Sequence, residues 1–266
     1  MYKKYLIVAS KKDKAGINIT TQLSQFPREN FTFYLVEDEI INTENLDFEK
    51  INSYDFIIFA SKHASEKSER ALTVHAPGNW RSADLGGERE KVCKSSALFM
   101  KQLFIKLKKN ADSSGLGEKY KVTLEATHHG PLINKPCVFI EIGSTQTEWE
   151  DRKAGFVIAK TILETIKTFE ENPYNEVAIG VGGPHYCPNF NRIQLNSNVA
   201  ISHVIPQYAF PLTEEMIKEA IEKTEEEVDF ILVDWKGMGK SESKQQALEI
   251  LDKMYLQYKK TSQINK

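Results

Sequence analysis

The chain has 266 residues, with 35 Lys and Arg against 37 Asp and Glu, so its net charge at neutral pH is −2. Proteins that grip nucleic acid along many phosphates are usually basic, so the composition does not favour extended DNA or RNA binding, although a local basic patch would still allow it. A chain of this length can bury a large core without disulfides or a structural metal.

Cysteine usage and hydropathy indicate the compartment. The three cysteines are far apart and show no Cys-x-x-Cys spacing, which argues for a reducing environment and against a zinc ribbon. The apolar run after Tyr5 is too short for a signal peptide, and no run approaches the ~20 residues of a membrane span. We therefore expect a cytoplasmic protein with no membrane association.

Short apolar runs alternate with longer periodic segments, which is typical of an α/β fold. Several runs are apolar at consecutive positions, as in Phe56–Phe59, and such strands are buried on both faces of a sheet. We predict three layers, with helices on both faces of a mixed, mostly parallel sheet. The predicted strands are Tyr5–Ala9, Phe31–Glu37, Tyr54–Ala60, Tyr120–Ala126, Pro136–Ile142, Glu176–Gly182 and Asp229–Asp234.

Apolar residues at helical spacing predict four helices. Thr147 and Glu150 have the spacing of a capping box at the start of the longest, and Thr213 precedes two glutamates that suit a first helical turn. The residues from Ser61 to Arg89 have little periodicity, and their Trp, His and Gly content indicates a functional loop rather than disorder. The helices are predicted near Ser95–Lys108, Glu148–Glu171, from Glu214 onward, and near Ser241–Lys259.

Five of the six histidines follow predicted strands or lie at a strand's end, where open α/β sheets bind ligands. Imidazole titrates near neutral pH and is a common metal ligand, so the set could bind zinc, relay protons or contact phosphate. Alternatively, each could be an individually hydrogen-bonded loop residue, because no spacing matches a known metal motif. The five are His63, His128, His129, His185 and His203, and the sixth is His75.

Two carboxylates accompany the histidines. Glu125 ends the strand before His128, and Glu141 interrupts an otherwise apolar strand, on the face shared with Phe139. A carboxylate at such a position is costly to bury unless it is paired. Glu141 is therefore a candidate general base, metal ligand or anchor for a substrate amine, and the competing interpretation is a rim residue that reaches solvent.

Other polar features are less specific. The segment Gly237–Ser241 resembles the end of a phosphate loop, but Asp234 stands where the full motif requires Gly, which excludes a nucleotide site of that type. A glycine-rich helix start could still hold one phosphate through backbone N–H groups. The basic run Lys101–Lys109 is either a solvated helix face or, less favoured, a tRNA contact.

Taken together, five motifs resemble the archaeal and plant D-aminoacyl-tRNA deacylase family. The resemblance implies hydrolysis of the ester between a D-amino acid and tRNA, zinc dependence, and a fold similar to the peptidyl-tRNA hydrolase and nucleoside phosphorylase class. Cys187-Pro188 departs from the expected pattern, which we regard as neutral to mechanism. The motifs are Thr73–Trp80, Glu125–Pro131, Phe139–Thr145 with Trp149, Gly182–Tyr186 and Ser202–Pro206.

We therefore expect a single deacylase domain over residues 1–266, with residues 1–50 as a less typical extension of the sheet, acting as a monomer on D-aminoacyl-tRNA. The alternatives are a peptidyl-tRNA hydrolase, a metal-dependent amidohydrolase with a small substrate, and a non-catalytic RNA-binding module. We expect the amides of Gly182 and Gly183 to stabilise an oxyanion. The predicted catalytic residues are His128, His129, Glu141 and His185; the substrate-binding residues are His63, His75, Asp84, Gly182, Gly183 and His203; and the zinc ligands come from His63, His128 and His185.

Overall fold

The computed structural model describes residues 2–27, 30–43, 46, 48–65, 68–170 and 176–264, which form ten strands and eight α-helices. None of the helices in these ranges is long and apolar enough to cross a membrane. The elements are β1 (Tyr5–Ser10), α1 (Lys14–Leu23), β2 (Phe31–Val36), α2 (Phe48–Asn52), β3 (Phe56–Ala64), β4 (Ala71–His75), α3 (Ala97–Ser113), β5 (Lys121–Leu124), β6 (Cys137–Ser144), α4 (Gln146–Trp149), α5 (Arg152–Thr168), β7 (Glu176–Val181), α6 (Pro188–Asn196), β8 (Val199–Ile205), α7 (Glu214–Glu222), β9 (Phe230–Val233), α8 (Ser241–Lys253) and β10 (Tyr258–Lys260).

The strands form two sheets. The first has six strands in the order β2-β1-β3-β6-β4-β5, and its neighbours are parallel except for the antiparallel pair of β4 and β6. The second has four parallel strands in the order β10-β9-β7-β8. The predicted α/β class with a mostly parallel mixed sheet is confirmed, with the strands divided between two sheets.

One hydrophobic cluster joins the two sheets. It contains Leu72 and Leu124 from the first sheet together with Ile201 and Phe230 from the second, and none of the four side chains is more than 3% exposed. Helix α3 contributes much of this cluster and packs against β4, β5 and β8. The carboxyl ends of β5, β7 and β8 are therefore held close together.

The seven predicted strands all occur, within a few residues of the predicted ends. The three strands missing from the prediction are β4, β8 and β10, and β4 lies inside the segment from Ser61 to Arg89 that we expected to be irregular. The first 50 residues supply β1, which pairs with both β2 and β3, so this segment is part of the sheet itself.

The helices differ more from the prediction. The segment predicted as one helix from Glu148 is two helices, α4 and α5, and the capping box is formed by Thr145 and Glu148 rather than by Thr147 and Glu150. Asp151 breaks the helix because its side chain accepts from the amides of Lys153 and Ala154 and so starts α5. Thr213 caps α7 as predicted, and α8 ends at Lys253, earlier than predicted. Helices α1, α2 and α6 were not predicted.

Candidate active site

Glu125 is the centre of a group of side chains from both sheets. Its amide donates to Val74 O (3.1 Å) and so continues the pairing of β5 with β4. The next two amides, of Ala126 and Thr127, donate to His185 O (2.8 Å) and Val204 O (3.1 Å) in the second sheet. This short segment therefore bridges the sheets and holds the Glu125 carboxylate where the carboxyl end of β5 meets the carboxyl ends of β7 and β8.

Four imidazoles surround that carboxylate. The distance from Glu125 Oε1 to His63 Nδ1 is 2.9 Å, and Oε2 lies 3.5 Å from His128 Nε2, 3.6 Å from His185 Nε2 and 3.9 Å from His75 Nε2. The Glu125 side chain has no exposed surface. We call the five histidines at this point, together with Glu125 and Glu141, the imidazole–carboxylate cluster; the histidines are His63, His75, His128, His129 and His185.

Glu141 joins the cluster because of the strand order. Strand β6 lies between β3 and β4, and the register places Glu141 beside Ser61 on one side and Thr73 on the other. The Glu141 carboxylate accepts from Thr73 Oγ1 (3.3 Å), and its Oε2 lies 3.7 Å from His75 Nε2. It is 2% exposed, so the interpretation of Glu141 as a solvent-reaching rim residue was wrong.

Backbone carbonyls orient three of the imidazoles. Nδ1 lies 3.2 Å from Ala76 O in His75, 2.8 Å from Ala126 O in His128, and 2.7 Å from Gly130 O in His129. A carbonyl can only accept, so each Nδ1 carries the proton when the ring is neutral. Nε2 is then the nitrogen with a free lone pair in all three rings, which is the form that binds a metal.

Two tyrosines reach the cluster from the second sheet. Tyr186 OH lies 2.7 Å from His63 Nε2, so His63 stands between a phenol and the Glu125 carboxylate. Tyr208 OH lies 3.2 Å from His185 Nδ1. Tyr208 is 58% exposed and the His185 side chain is 34% exposed, whereas Glu125 is fully covered. The cluster therefore opens to solvent on the side of His185 and Tyr208.

Burial and neighbouring charges divide the imidazoles into two kinds. Burial lowers the pKa values of His63 and His75, but the nearby carboxylates outweigh it and raise both above the usual value. For His128 and His129 burial again lowers the pKa, and the charge of His75 lowers it further, to about 4 in His129. Burial raises the pKa of Glu125, but the contacts with His185 and His63 dominate and hold it well below its usual range.

The donor set fits a bound metal ion. Among the described residues, neither Glu125 oxygen nor His75 Nε2 has a partner with hydrogen-bond geometry, although all three atoms are buried and His63 Nδ1 lies 2.9 Å from Glu125 Oε1. Ligands on one tetrahedral zinc lie about 3.4 Å apart, close to the 3.5 and 3.6 Å from Glu125 to His128 and His185. Three groupings place their ligand atoms within 4.8 Å: His75 with His128 and His129; Glu125 with His128 and His185; and His63 with Glu125 and Glu141.

The predicted zinc ligands are therefore divided between groupings. His128 and His185 share one through Glu125, and His63 belongs to its neighbour, so these three histidines do not form one of the groupings found in the described residues. His75, which we predicted as a substrate-binding residue, is instead fully buried within the cluster.

The two glycine amides do not face the cluster. Gly182 N donates to Ile205 O and Gly183 N donates to Gly237 O, both at 2.8 Å. Their φ angles of +93° and +83° suit glycine, and the chain packs closely there on the turn at Gly237. The prediction that these amides stabilise an oxyanion was wrong, because both are already used in joining the loops of the second sheet.

Two further predicted substrate residues lie outside the cluster. His203 has no exposed surface, and its nitrogens face Thr127 Oγ1 and Lys223 O, both at 3.3 Å, so its assignment to substrate was wrong. Burial lowers its pKa to about 4. Asp84 is exposed, and its carboxylate accepts from Ser82 Oγ (2.6 Å) rather than from a group of the cluster.

The basic run from Lys101 to Lys109 is not one surface. Lys101 is fully buried, and its ammonium donates to Gln194 O (2.6 Å), Ser197 O (2.8 Å) and Val199 O (2.9 Å), at the end of α6 and the start of β8. Burial lowers its pKa to about 8. The interpretation of this residue as part of a solvated face or tRNA contact was wrong.

The site contains residues that sequence reasoning left out of the predicted set. Glu125 follows a strand and precedes His128, so the argument made for Glu141 could have identified it. Tyr186 lies beside His185 in a motif that we singled out, but nothing in the sequence indicates that its hydroxyl reaches His63. Thr73 and Tyr208 have no local signal, because their positions depend on strand pairing and on the loop after β8.

The chain is similar to proteins of one family over almost its full length. The family model for D-aminoacyl-tRNA deacylase matches residues 50–259. A D-aminoacyl-tRNA deacylase of Pyrococcus furiosus is 37% identical over 95% of this chain and 98% of its own, and one of Archaeoglobus fulgidus is 36% identical over 90% of each.

A solved structure has the same fold. A crystal structure described as that of a conserved protein of unknown function is 31% identical and superposes with a TM-score of 0.88, over 98% of this chain and 96% of the other. The agreement of the family model, the curated relatives and the fold shows that this chain belongs to the D-aminoacyl-tRNA deacylase family.

Proposed function

We propose that the imidazole–carboxylate cluster hydrolyses the ester that joins a D-amino acid to the terminal ribose of tRNA, which releases the amino acid and free tRNA. The observation that carries the proposal is the buried Glu125 carboxylate with four imidazoles within 3.9 Å of it, in a chain that belongs to this family. Since charged tRNA is used in the cytoplasm, we propose that compartment for the reaction.

We call the side of the cluster that opens to solvent, at His185 and Tyr208, its mouth, and the ester would enter there. His185 and His128 are partly exposed there, with 34% and 22% of their side chains accessible, whereas His75 is fully buried. An aminoacyl ester is already activated, so the enzyme needs a positioned water, a base and donors for the oxyanion. We propose that His185 and His128 orient the attacking water at this mouth.

A chain of polar contacts leads inward from the same place. Tyr186 OH, His63 and Glu125 form a chain of contacts of 2.7 and 2.9 Å. In this arrangement the phenol donates to the ester carbonyl oxygen as negative charge develops there, and His63 keeps the phenol oriented. This replaces the role that we first gave to the amides of Gly182 and Gly183.

The donor set is compatible with zinc, and we propose zinc as the cofactor, held by Glu125 with His128 and His185, and by His75 and His129 beside them. When bound there, zinc supplies Lewis-acid chemistry, which makes water a stronger acid near neutral pH and polarises an ester carbonyl. The carbonyls of Ala126 and Gly130 keep the imidazoles in the metal-binding tautomer.

The test is the rate of ester hydrolysis on matched D-Tyr-tRNA and L-Tyr-tRNA, with and without a zinc chelator. We expect turnover of the D-substrate only, and its loss on chelation. D-selective turnover that survives chelation would contradict the zinc proposal and leave the reaction to the imidazoles. Equal turnover of both substrates, or of neither, would overturn the proposed function.

Site variants separate catalysis from folding. We expect His185→Ala and His128→Ala each to retain the far-UV circular dichroism of the wild type and to lose D-Tyr-tRNA hydrolysis by ~10²-fold or more, in the range usual for loss of a catalytic acid or base. The matched control is Lys109→Ala, at an exposed position on α3, which we expect to be fully active. A folded double variant of the two histidines with full activity would contradict the assignment.

A further inference from the structure

A surface beside the cluster combines an aromatic ring with lysines that pair with no carboxylate in the described part of the chain. It lies on the turn after β9, the first turn of α8 and the end of β10. Trp235 is half-buried, and the ammonium groups of Lys260 and Lys244 lie 4.2 and 5.4 Å from the centre of its ring. We call it the Trp235 surface, and its residues are Trp235, Lys236, Lys240, Lys244 and Lys260.

Most lysines along the carboxyl edge of the first sheet are neutralised. Lys12 Nζ lies 2.7 Å from Asp38, Lys14 Nζ lies 2.6 Å from Glu150, and Lys62 pairs with Glu39 at 3.0 Å. Within the described ranges, by contrast, none of the four lysines of the Trp235 surface forms an ion pair with a carboxylate. The positive charge there is left available to an external anion.

The indole helps to hold this charge in place. An ammonium near the face of a tryptophan is stabilised by the ring quadrupole by about 0.5–1 kcal/mol at exposed sites. The attraction of one ring for two ammonium groups offsets part of the repulsion between them. It also restricts both lysine side chains before a ligand binds. Lys244 and Lys260 are therefore arranged for an anionic ligand rather than spread at random over the surface.

The Trp235 surface is directly connected to the mouth of the cluster. Gly183 N donates to Gly237 O (2.8 Å), and Gln207 N donates to Gly183 O (2.9 Å). Gly183 is two residues before His185, and Gln207 is followed by Tyr208, whose hydroxyl contacts His185. A polyanion lying over the turn at Gly237 would therefore continue into the opening where His185 and Tyr208 are exposed.

We propose that the Trp235 surface binds backbone phosphates of the tRNA acceptor arm and so guides the charged 3′ end to the cluster, an inference that rests on the proposed function. The chain as a whole is slightly acidic, with a net charge of −2, so a local surface must supply the attraction to RNA. One acid, Glu242, lies within this region in the first turn of α8, against the four lysines, and the other bordering acids, Glu249 and Asp252, lie two turns or more beyond Lys240. These last two limit the footprint to the turn and the first part of the helix.

The test measures binding of uncharged tRNA by fluorescence anisotropy over a range of salt concentrations. The variant combines Lys236→Gln, Lys240→Gln and Lys244→Gln. We expect its affinity to fall about tenfold, and the slope of log affinity against log salt to decrease by about 2–3, since each lost phosphate contact contributes 0.7–0.9. With D-Tyr-tRNA, KM is expected to rise more than kcat falls.

The control variant has the same change in charge at a region remote in sequence from the Trp235 surface, where α3 ends and β5 begins. It combines Lys108→Gln, Lys109→Gln and Lys119→Gln, and we expect wild-type affinity and salt slope. Equal losses in both variants would show a non-specific effect of net charge and overturn the proposal. So would wild-type binding by the first variant, or a wild-type protein that binds no tRNA.

The two proposals fail in different ways. Suppose that the wild type binds tRNA and the triple lysine variant does not, but neither protein releases D-tyrosine from D-Tyr-tRNA. The tRNA-binding surface is then supported and the proposed reaction is contradicted. If D-selective hydrolysis is normal in both proteins and their affinities for tRNA are equal, the proposed reaction is supported and the proposed tRNA-binding surface is contradicted.

Discussion

Replacing Lys101 by methionine tests whether a buried ammonium group holds the end of α6 against β8. The three carbonyls that accept from it, of Gln194, Ser197 and Val199, lie within 2.9 Å of Nζ. Methionine has a similar length but no donor, so all three acceptors lose this partner. An orphaned buried acceptor costs about 1–3 kcal/mol, and removal of the ammonium, whose burial is itself unfavourable, offsets part of the cost at the three acceptors.

With three acceptors orphaned at once, we expect Lys101→Met to lower the free energy of unfolding by about 3–5 kcal/mol, a large part of the 5–15 kcal/mol typical of a protein. The assay is urea unfolding followed by circular dichroism at neutral pH. The control is Lys109→Met on the same helix, where the side chain is exposed and the expected change is within about 0.5 kcal/mol. A loss below about 1 kcal/mol in Lys101→Met would refute the reasoning, because it would show that water replaces the ammonium at those carbonyls.

Two further predictions concern the cluster and the second sheet. Glu125→Gln keeps the shape of the side chain but removes its charge, so we expect both the activity and the bound zinc, measured by elemental analysis, to fall. The control Lys109→Gln should bind as much zinc as the wild type. Unchanged zinc content in Glu125→Gln would contradict the assignment of Glu125 as a ligand. Burial lowers the pKa of His203 from its usual 6.5 to about 4 in the folded protein, so its contribution to stability is complete above pH 6.5 and is lost as the pH falls towards 4. Between pH 8 and pH 5 the free energy of unfolding is expected to fall by about 2 kcal/mol through this group. In urea unfolding, the free energy of His203→Gln should fall less steeply with decreasing pH than that of the wild type. Parallel pH dependences in the two proteins would contradict the prediction.

The features that sequence could predict are those with a local cause. The strands around Phe56–Phe59 and Val138–Ile140 are apolar at consecutive positions, and the buried central strands of a sheet require this composition. The histidines after β5 and β7 were also placed correctly, because the carboxyl end of a strand can be recognised without knowledge of the strand order. His128 and His185 accordingly lie in the cluster.

The features that sequence missed depend on which strands are neighbours. Strand β4 is only five residues long and inserts between β6 and β5, antiparallel to β6 and parallel to β5, and no local pattern indicates this. Yet this insertion places Thr73 and His75 against Glu141. The same reasoning explains why His203 and His128 look equivalent in the sequence: both follow apolar residues, but one faces the packed interior of the second sheet and the other the junction of the two sheets.

The free-energy cost of burying a carboxylate could have identified Glu125 from the sequence. A carboxylate between the apolar end of β5 and a histidine pair must either reach water or be compensated, and its side chain has no exposed surface. Four imidazoles near one carboxylate cannot all be there to neutralise a single negative charge, so most of them must serve another purpose. The carbonyls that fix the tautomers of His75, His128 and His129 indicate that purpose, since they leave the Nε2 lone pairs of His75 and His128 near the carboxylate and that of His129 available beside them. The sequence could identify Glu125 as a carboxylate that is costly to bury. Only the two-sheet topology shows that its neighbours are arranged as metal ligands rather than as counter-ions.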